Sequence, residues 1–232
     1  MMRRILLVTL ALTAAVATAC SSDEPAANGS LPDGAGLMTD ASAAAADIKS
    51  AHFTLQINGE VPGLPVRSAD GDLTREGGPA GAAKGTISMN FMGTLFEGEF
   101  VLVDDTLFLK GPTGGYEEIS AALVRSVYDP SAILDPERGI AKVLSSVQNP
   151  KTEAAEDVDG VATYKVTGRV GKDVVTSLVP GINEDVDITF WVKQDGDHQP
   201  VKASVKVPAE GDPTVDVTLS DVNKPVTITA PQ

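Results

Sequence analysis

The sequence predicts an α+β fold, a large curved antiparallel sheet with helices on its concave face. Three observations carry this. Apolar and polar residues alternate with period two in run after run between Phe53 and Leu219, the mark of strands with one dry and one wet face. Turn-forming pairs separate the runs, among them Asn58-Gly59, Pro62-Gly63, Asp159-Gly160, Gly196-Asp197 and Gly211-Asp212, at the short spacing that hairpins require. Residues 116–147, finally, form a passage of helical period in the middle of the strands. That passage needs a broad apolar partner, and the strands supply it.

The chain starts with a basic stretch (Arg3, Arg4), an apolar run over 5–16, and the small residues Ala17-Thr18-Ala19 before Cys20. Residues 1–19 read as a signal peptide, the run being shorter than the roughly 18 residues that span a bilayer. Small residues before Cys20, with Ser21 and Ser22 after it, resemble the lipobox of bacterial lipoproteins, in which the cysteine is diacylated and becomes the N-terminus. Ala17 stands where leucine is commonest, so a plain cut after Ala19 is the alternative. Residues 20–36, rich in Ser, Asp, Pro, Ala and Gly, form the acylated cysteine and a flexible tether. Residues 37–232 remain for one domain, and 42% hydrophobic content is enough for one core.

Leu37, Ala41, Ala44, Ala45 and Ile48 make one stripe of a helix over 37–49. Phe53, Leu55 and Ile57 then open the first strand, with 66–74 pairing back across the turns. A Gly/Ala/Pro loop over 77–85 precedes strands at Ile87/Met89/Phe91, 95–103 and 106–110. In the central passage Ile119, Ala122, Leu123 and Val127 form a first helical stripe, broken at Asp129-Pro130. Asp135-Pro136 restarts the chain as N-cap and first turn, and Ile140, Val143, Leu144 and Val147 share a face at i, i+3, i+4 and i+7. Residues 152–159 are acidic and polar. Strands resume with Ala162/Tyr164/Val166, and Val174, Val175 and Leu178 suit a short helix stopped by Pro180-Gly181. The runs beginning at Val186, Val201 and Val215 complete the sheet.

Charge narrows the function. With 18 basic against 32 acidic residues the net charge is −14, which argues against nucleic acid as a partner, since phosphate binding calls for a basic face, and suits an exported protein kept in solution. Cys20 is the one cysteine, so the folded part holds no disulfide, zinc cluster or thiol nucleophile. His52 at a strand start and His198 in a turn are polar edge residues. No nucleophile elbow, metalloprotease, phosphate-loop or dinucleotide signature occurs. Asp157-Val158-Asp159-Gly160 and Asp195-Gly196-Asp197 are fragments of calcium loops without the ligand count. No cofactor is expected, and a binder or carrier fits better than an enzyme. Either the helices sit flush on the sheet as a solid core, or an apolar cavity lies between them. In the second case Phe53, Leu55, Ile87, Met89, Phe91, Phe100, Leu123, Ile140, Val143 and Leu144 line it.

The order of Ser50-Ala51-His52-Phe53, Asn58-Gly59, Pro62-Gly63-Leu64, Gly71-Asp72-Leu73-Thr74, Tyr128-Asp129-Pro130, Asp135-Pro136, Val143-Leu144 and Gly196-Asp197-His198-Gln199 behind a lipobox resembles the mycobacterial LppX/LprA/LprF/LprG lipoprotein family. The likeness covers essentially the whole chain and is strongest to the LprG type. It implies a half-barrel of antiparallel strands whose helices enclose an apolar cavity for acyl chains. It further implies a carrier of triacylated glycolipids (phosphatidylinositol mannosides, lipoarabinomannan) or of triacylglycerol. Such a carrier is anchored on the periplasmic face of the inner membrane, with cell wall or secreted forms allowed, and works beside an efflux-type membrane transporter. A lipoprotein adaptor that scaffolds a transporter through protein contacts is the alternative.

Overall fold

The computed structural model describes residues 30–231 except 78–80, 92, 105, 121–132 and 179–181. Eleven strands form one antiparallel sheet: β1 (Ser50–Asn58), β2 (Val66–Thr74), β3 (Ala82–Phe91), β4 (Thr94–Val103), β5 (Thr106–Lys110), β6 (Glu117–Ser120), β7 (Gln148–Val158), β8 (Val161–Val170), β9 (Val186–Lys193), β10 (Pro200–Lys206) and β11 (Thr214–Ser220). Their order across the sheet is β6-β5-β4-β3-β2-β1-β11-β10-β9-β8-β7. Two meanders are therefore joined at the centre, where Phe53 faces Leu219 and Leu55 faces Val217. β6 and β7 lie on opposite edges, so the chain between them has to cross the whole sheet. The sheet is curved and open rather than a closed barrel, as its two unpaired edges require.

Register aligns the apolar side chains of neighbouring strands on one face. Phe190 stands beside Ala203 and Val166, and Leu55 beside Ala69, which stands beside Ile87. Helices α1 (Gly34–Ala46), α2 (Ile140–Ser145) and α3 (Lys172–Leu178) share a core with that face. α1 starts at Gly34 because Asp33 caps it, its carboxylate accepting from the Gly36 amide at 2.9 Å. It starts inside the stretch read as tether and ends at Ala46, short of the expected Lys49. Its alanines, Ala41 and Ala45, allow close approach, and the Ser42 hydroxyl donates to the Ala141 carbonyl of α2 at 2.8 Å. Arg75, just past β2, fastens the helical layer: its guanidinium donates to the carbonyls of Leu134 and Ala46, each at 2.8 Å. The second bond satisfies a carbonyl at the negative end of α1.

Four expectations change. The helical stripe expected from Tyr116 is at its start β6, paired to β5 with Ile119 opposite Leu107; Leu123 and the rest of that stripe lie outside the described residues. The polar run after Pro150 is the edge strand β7, exposed or half-exposed along its length, so no dry face marked it. The outer face is not wet throughout. The chain after β11 folds back over β3–β5, burying Ile228 with Ala82, Val101 and Val103, and the Ser50 hydroxyl donates to the Lys224 carbonyl at 2.7 Å. Strand β3 also begins at Ala82, which shortens the loop expected over 77–85.

Curvature depends on a facing pair of glycines. Gly71 of β2 and Gly85 of β3 are register partners on the apolar face, and a Cβ on either would run into the backbone of the facing strand. Only glycine lets the strands crease there. Gly85→Ala and Gly71→Ala should each lower stability by about 2 kcal/mol or more. Gly115→Ala, where a Cβ meets open space, should change it by under about 0.5 kcal/mol. Urea denaturation of the three variants checks this.

Candidate functional site

Beneath α2 and α3 the apolar face encloses a cavity of about 120 Å³. β9 supplies Val186, Ile188 and Phe190 to its floor; β10 supplies Ala203 and Val205; β11 supplies Val215 and Val217; and Leu55 of β1 closes one side. The roof is Ile140 and Val143 of α2, Val175 of α3, and Ile133 and Ile182 beside them, with Val170 at the end of β8. Every lining side chain is hydrocarbon. The period-two strands place alternate residues inward, and β-branched side chains on both floor and roof keep the two layers from interdigitating as closely as the alanines of α1 allow.

Of the residues expected to line a cavity, Leu55, Ile140 and Val143 do so. Phe53, Phe100 and Leu144 are buried in the core without lining it. Ile87 and Met89 are half-buried on the same sheet face but two strands beyond Leu55, so they are not in the lining; the cavity is centred over the C-terminal meander instead. The side chain of Phe91, like Leu123, lies outside the described residues. The floor residues of β9–β11 were not among those expected to line a cavity although their alternation was plain, because alternation tells which face a residue is on and not which strands lie under the helices.

A wider groove of about 660 Å³ opens on the opposite face of β1–β5. Its walls mix polar groups, Thr54, Gln56, Asp70, Thr86, Glu97, Glu99 and Lys110, with the apolar residues Leu55, Ala69, Ile87 and Pro112. Tyr116 donates to Glu99 at 2.8 Å and Lys110 lies 3.4 Å from it, and these two bonds hold the Glu99 carboxyl below its ordinary range. Charged groups stand along this groove, whereas the cavity beneath α2 and α3 is lined by hydrocarbon alone.

Neither histidine faces the cavity. His52 is on the outer face between Asp72 at 3.0 Å and Asp70 at 3.4 Å. His198 closes a turn on the Lys193 carbonyl at 2.8 Å. Among the described residues no group of three or more His, Cys, Asp or Glu is placed to hold a metal ion, and no helix is long and apolar enough to cross a membrane.

The sequence profile of the LppX_LprAFG lipoprotein family matches residues 33–228. The chain belongs to that family. Among its relatives, the lipoarabinomannan carrier protein LprG of Mycolicibacterium hassiacum is 37% identical, the alignment covering 100% of this chain and 99% of that protein. The lipoarabinomannan carrier protein LprG of Mycobacterium leprae is 32% identical over 97% of this chain and 94% of its own. Crystal structures agree. LprF from Mycobacterium bovis superposes with a TM-score of 0.76 at 29% identity, over 87% of this chain and 98% of LprF. The Mycobacterium tuberculosis lipoprotein LppX superposes with 0.64 at 25% identity, over 84% and 97%. The family's curved open sheet with helices on one face is the fold described above.

The Asp72 hydrogen bond is the largest influence on His52 and raises its pKa above 6.5; burial, next in size, opposes it, and the charges of Asp70 and Asp72 add to the rise. A raised folded pKa contributes stability that is complete below the unfolded pKa of about 6.5 and is lost as pH climbs through the folded value. His52→Asn should therefore lower the urea midpoint at pH 6 and leave it nearly unchanged at pH 9. The effect is small, because the ring is a third exposed. An equal loss at both pH values would mean that the ion pairs add nothing.

Proposed function

We propose that the protein is a lipid carrier and not an enzyme, taking acyl chains between α2, α3 and the floor strands. The observation that carries this is a lining made wholly of hydrocarbon side chains beneath two short helices. Support comes from the full-length relatives named lipoarabinomannan carriers. The cargo in this proposal is a glycolipid of two or three acyl chains, of the phosphatidylinositol mannoside or lipoarabinomannan class, or triacylglycerol. The protein is anchored by a diacylated Cys20 on the periplasmic face of the inner membrane. It passes cargo toward the outer envelope beside an efflux-type transporter.

At about 120 Å³ the cavity falls below the roughly 300–1,000 Å³ of small-ligand pockets, so carriage requires the helices to lift off the sheet. α2 suits such a movement. It has six residues, its N-cap Gly139 makes no side-chain capping bond, and it meets the floor through Ile140 and Val143. The same small volume supports a second reading, a solid-cored adaptor acting through protein contacts.

Native mass spectrometry with lipid extraction, on protein purified from a mycobacterial host, separates the two. The carrier reading expects a stoichiometric lipid of two or three chains. Ile188→Trp, which fills the floor, should remove the adduct while a second floor variant, Ile188→Leu, keeps it. Bare protein that also refuses added lipid would leave the adaptor.

A further inference from the structure

Acidic residues outnumber basic ones 32 to 18 in this chain, yet three adjacent strands reverse the balance. β8, β9 and β10 carry Lys165, Arg169, Lys193, Lys202 and Lys206 against one acid, Asp187. All point to the outer face, opposite Phe190, Ile188 and Ala203. Register sets Lys202, Trp191 and Lys165 side by side; beyond the neutral row Ser204-Thr189-Thr167, Asp187 lies between Lys206 and Arg169.

Trp191 is the centre of this face. Its half-exposed ring lies between two ammonium groups, Lys202 Nζ at 5.0 Å and Lys165 Nζ at 5.5 Å from the centroid. Both are within cation–π range. The indole N–H donates to Glu156 of β7, which fixes the ring against the sheet. Lys206 is neutralised by Asp212 at 3.1 Å, and Lys193 is held by the Gln199 amide oxygen at 3.0 Å. That leaves Lys193 with only a neutral partner, and Lys165, Lys202 and the exposed Arg169 likewise without a carboxylate of a described residue in ion-pair contact. Glu153 and Glu156 on β7 and Asp216 on β11 form the rim.

We infer that the outer face of β8–β10 docks on the headgroups of an anionic bilayer. Three features select that occupant. The patch is a broad sheet face and lies outside the cavity and the groove described above, so it meets a plane better than a peptide or a small molecule. Its free cations attract an anionic surface at roughly 1 kcal/mol each, while the acidic remainder is repelled, so this face alone approaches. An indole among lysines matches the boundary between headgroups and acyl chains, where tryptophan concentrates. Docking rests on charge and on Trp191, and stands whether or not the cavity carries lipid.

Trp191 is the one tryptophan of the chain, so its emission reports this patch alone, whatever the leader or an acyl anchor does. The full chain is titrated with phosphatidylglycerol–phosphatidylcholine vesicles. The expected result is a blue shift with protection from acrylamide, abolished by about 0.5 M salt and missing with phosphatidylcholine alone. Lys165→Gln, Lys202→Gln and Arg169→Gln combined should weaken vesicle affinity by about tenfold or more, while Lys165→Arg with Lys202→Arg retains it. Unchanged emission with anionic vesicles, an equal response to neutral ones, or full response in the folded triple variant would overturn the proposal. The salt and neutral-vesicle arms use the unaltered chain, so they decide even if the triple variant does not fold.

Discussion

Pairing between β1 and β11 is the contact on which the rest of the structure depends. It joins a six-stranded meander to a five-stranded one as a single sheet and leaves β6 and β7 as the two edges. At a strand spacing of about 4.8 Å, eleven strands would extend about 50 Å if flat, and the connection from β6 to β7 has to bridge them. The continuous apolar face also has to be covered, since each exposed Val, Leu or Ile forgoes about 1.5–3 kcal/mol. One crossing serves both needs: it carries α2 over the floor of the C-terminal meander. Gly71 and Gly85 allow the sheet to curl toward the helices, and Arg75 ties the end of α1 and Leu134 to the sheet.

The site follows from which helices lie where. α1 packs against α2, β7 and β10 with small side chains, and leaves no space. α2 and α3 are too short to be stable alone and present β-branched side chains to a β-branched floor, so the layers meet without interlocking. Bonds from Ser42 to Ala141 and from Arg75 to Leu134 hold this layer from the side, while its contact with the floor is through hydrocarbon alone. The outer face behind those floor strands carries the opposite character, cations about a tryptophan. The alternation of single strands thus gives β8–β10 a dry side toward the helices and a charged side outward.

Much of this was legible in the residues. The bounds of β2 and β5 and the alternation of β9–β11 follow from period two and turn chemistry, because each of those strands has one dry face. β7 was not legible: as an edge strand it pairs its backbone to β8 while its side chains stay wet, and pairing leaves no mark on hydropathy. β6 was misread as helix because Ile119, Ala122, Leu123 and Val127 also fit a period of 3.6, and a neighbour in space, β5, decides the matter. In the site, Ile140 and Val143 could be found because helix periodicity singles out one stripe. Ile188 and Val205 could not, since that required knowing which half of the sheet the crossing covers. Ile87, on the same sheet face, lies two strands beyond Leu55 and outside that lining.

The central claim is that α2 separates from the floor strands to admit acyl chains. The most direct test is a spin-label distance between Lys142, exposed on α2, and Asp187, exposed on the outer side of β9, in a Cys20→Ser background, measured with and without a bound two-chain glycolipid. A distance that lengthens when the lipid is bound is the predicted result. A distance unchanged in protein shown to hold the lipid would contradict it, and would place the chains elsewhere on the molecule.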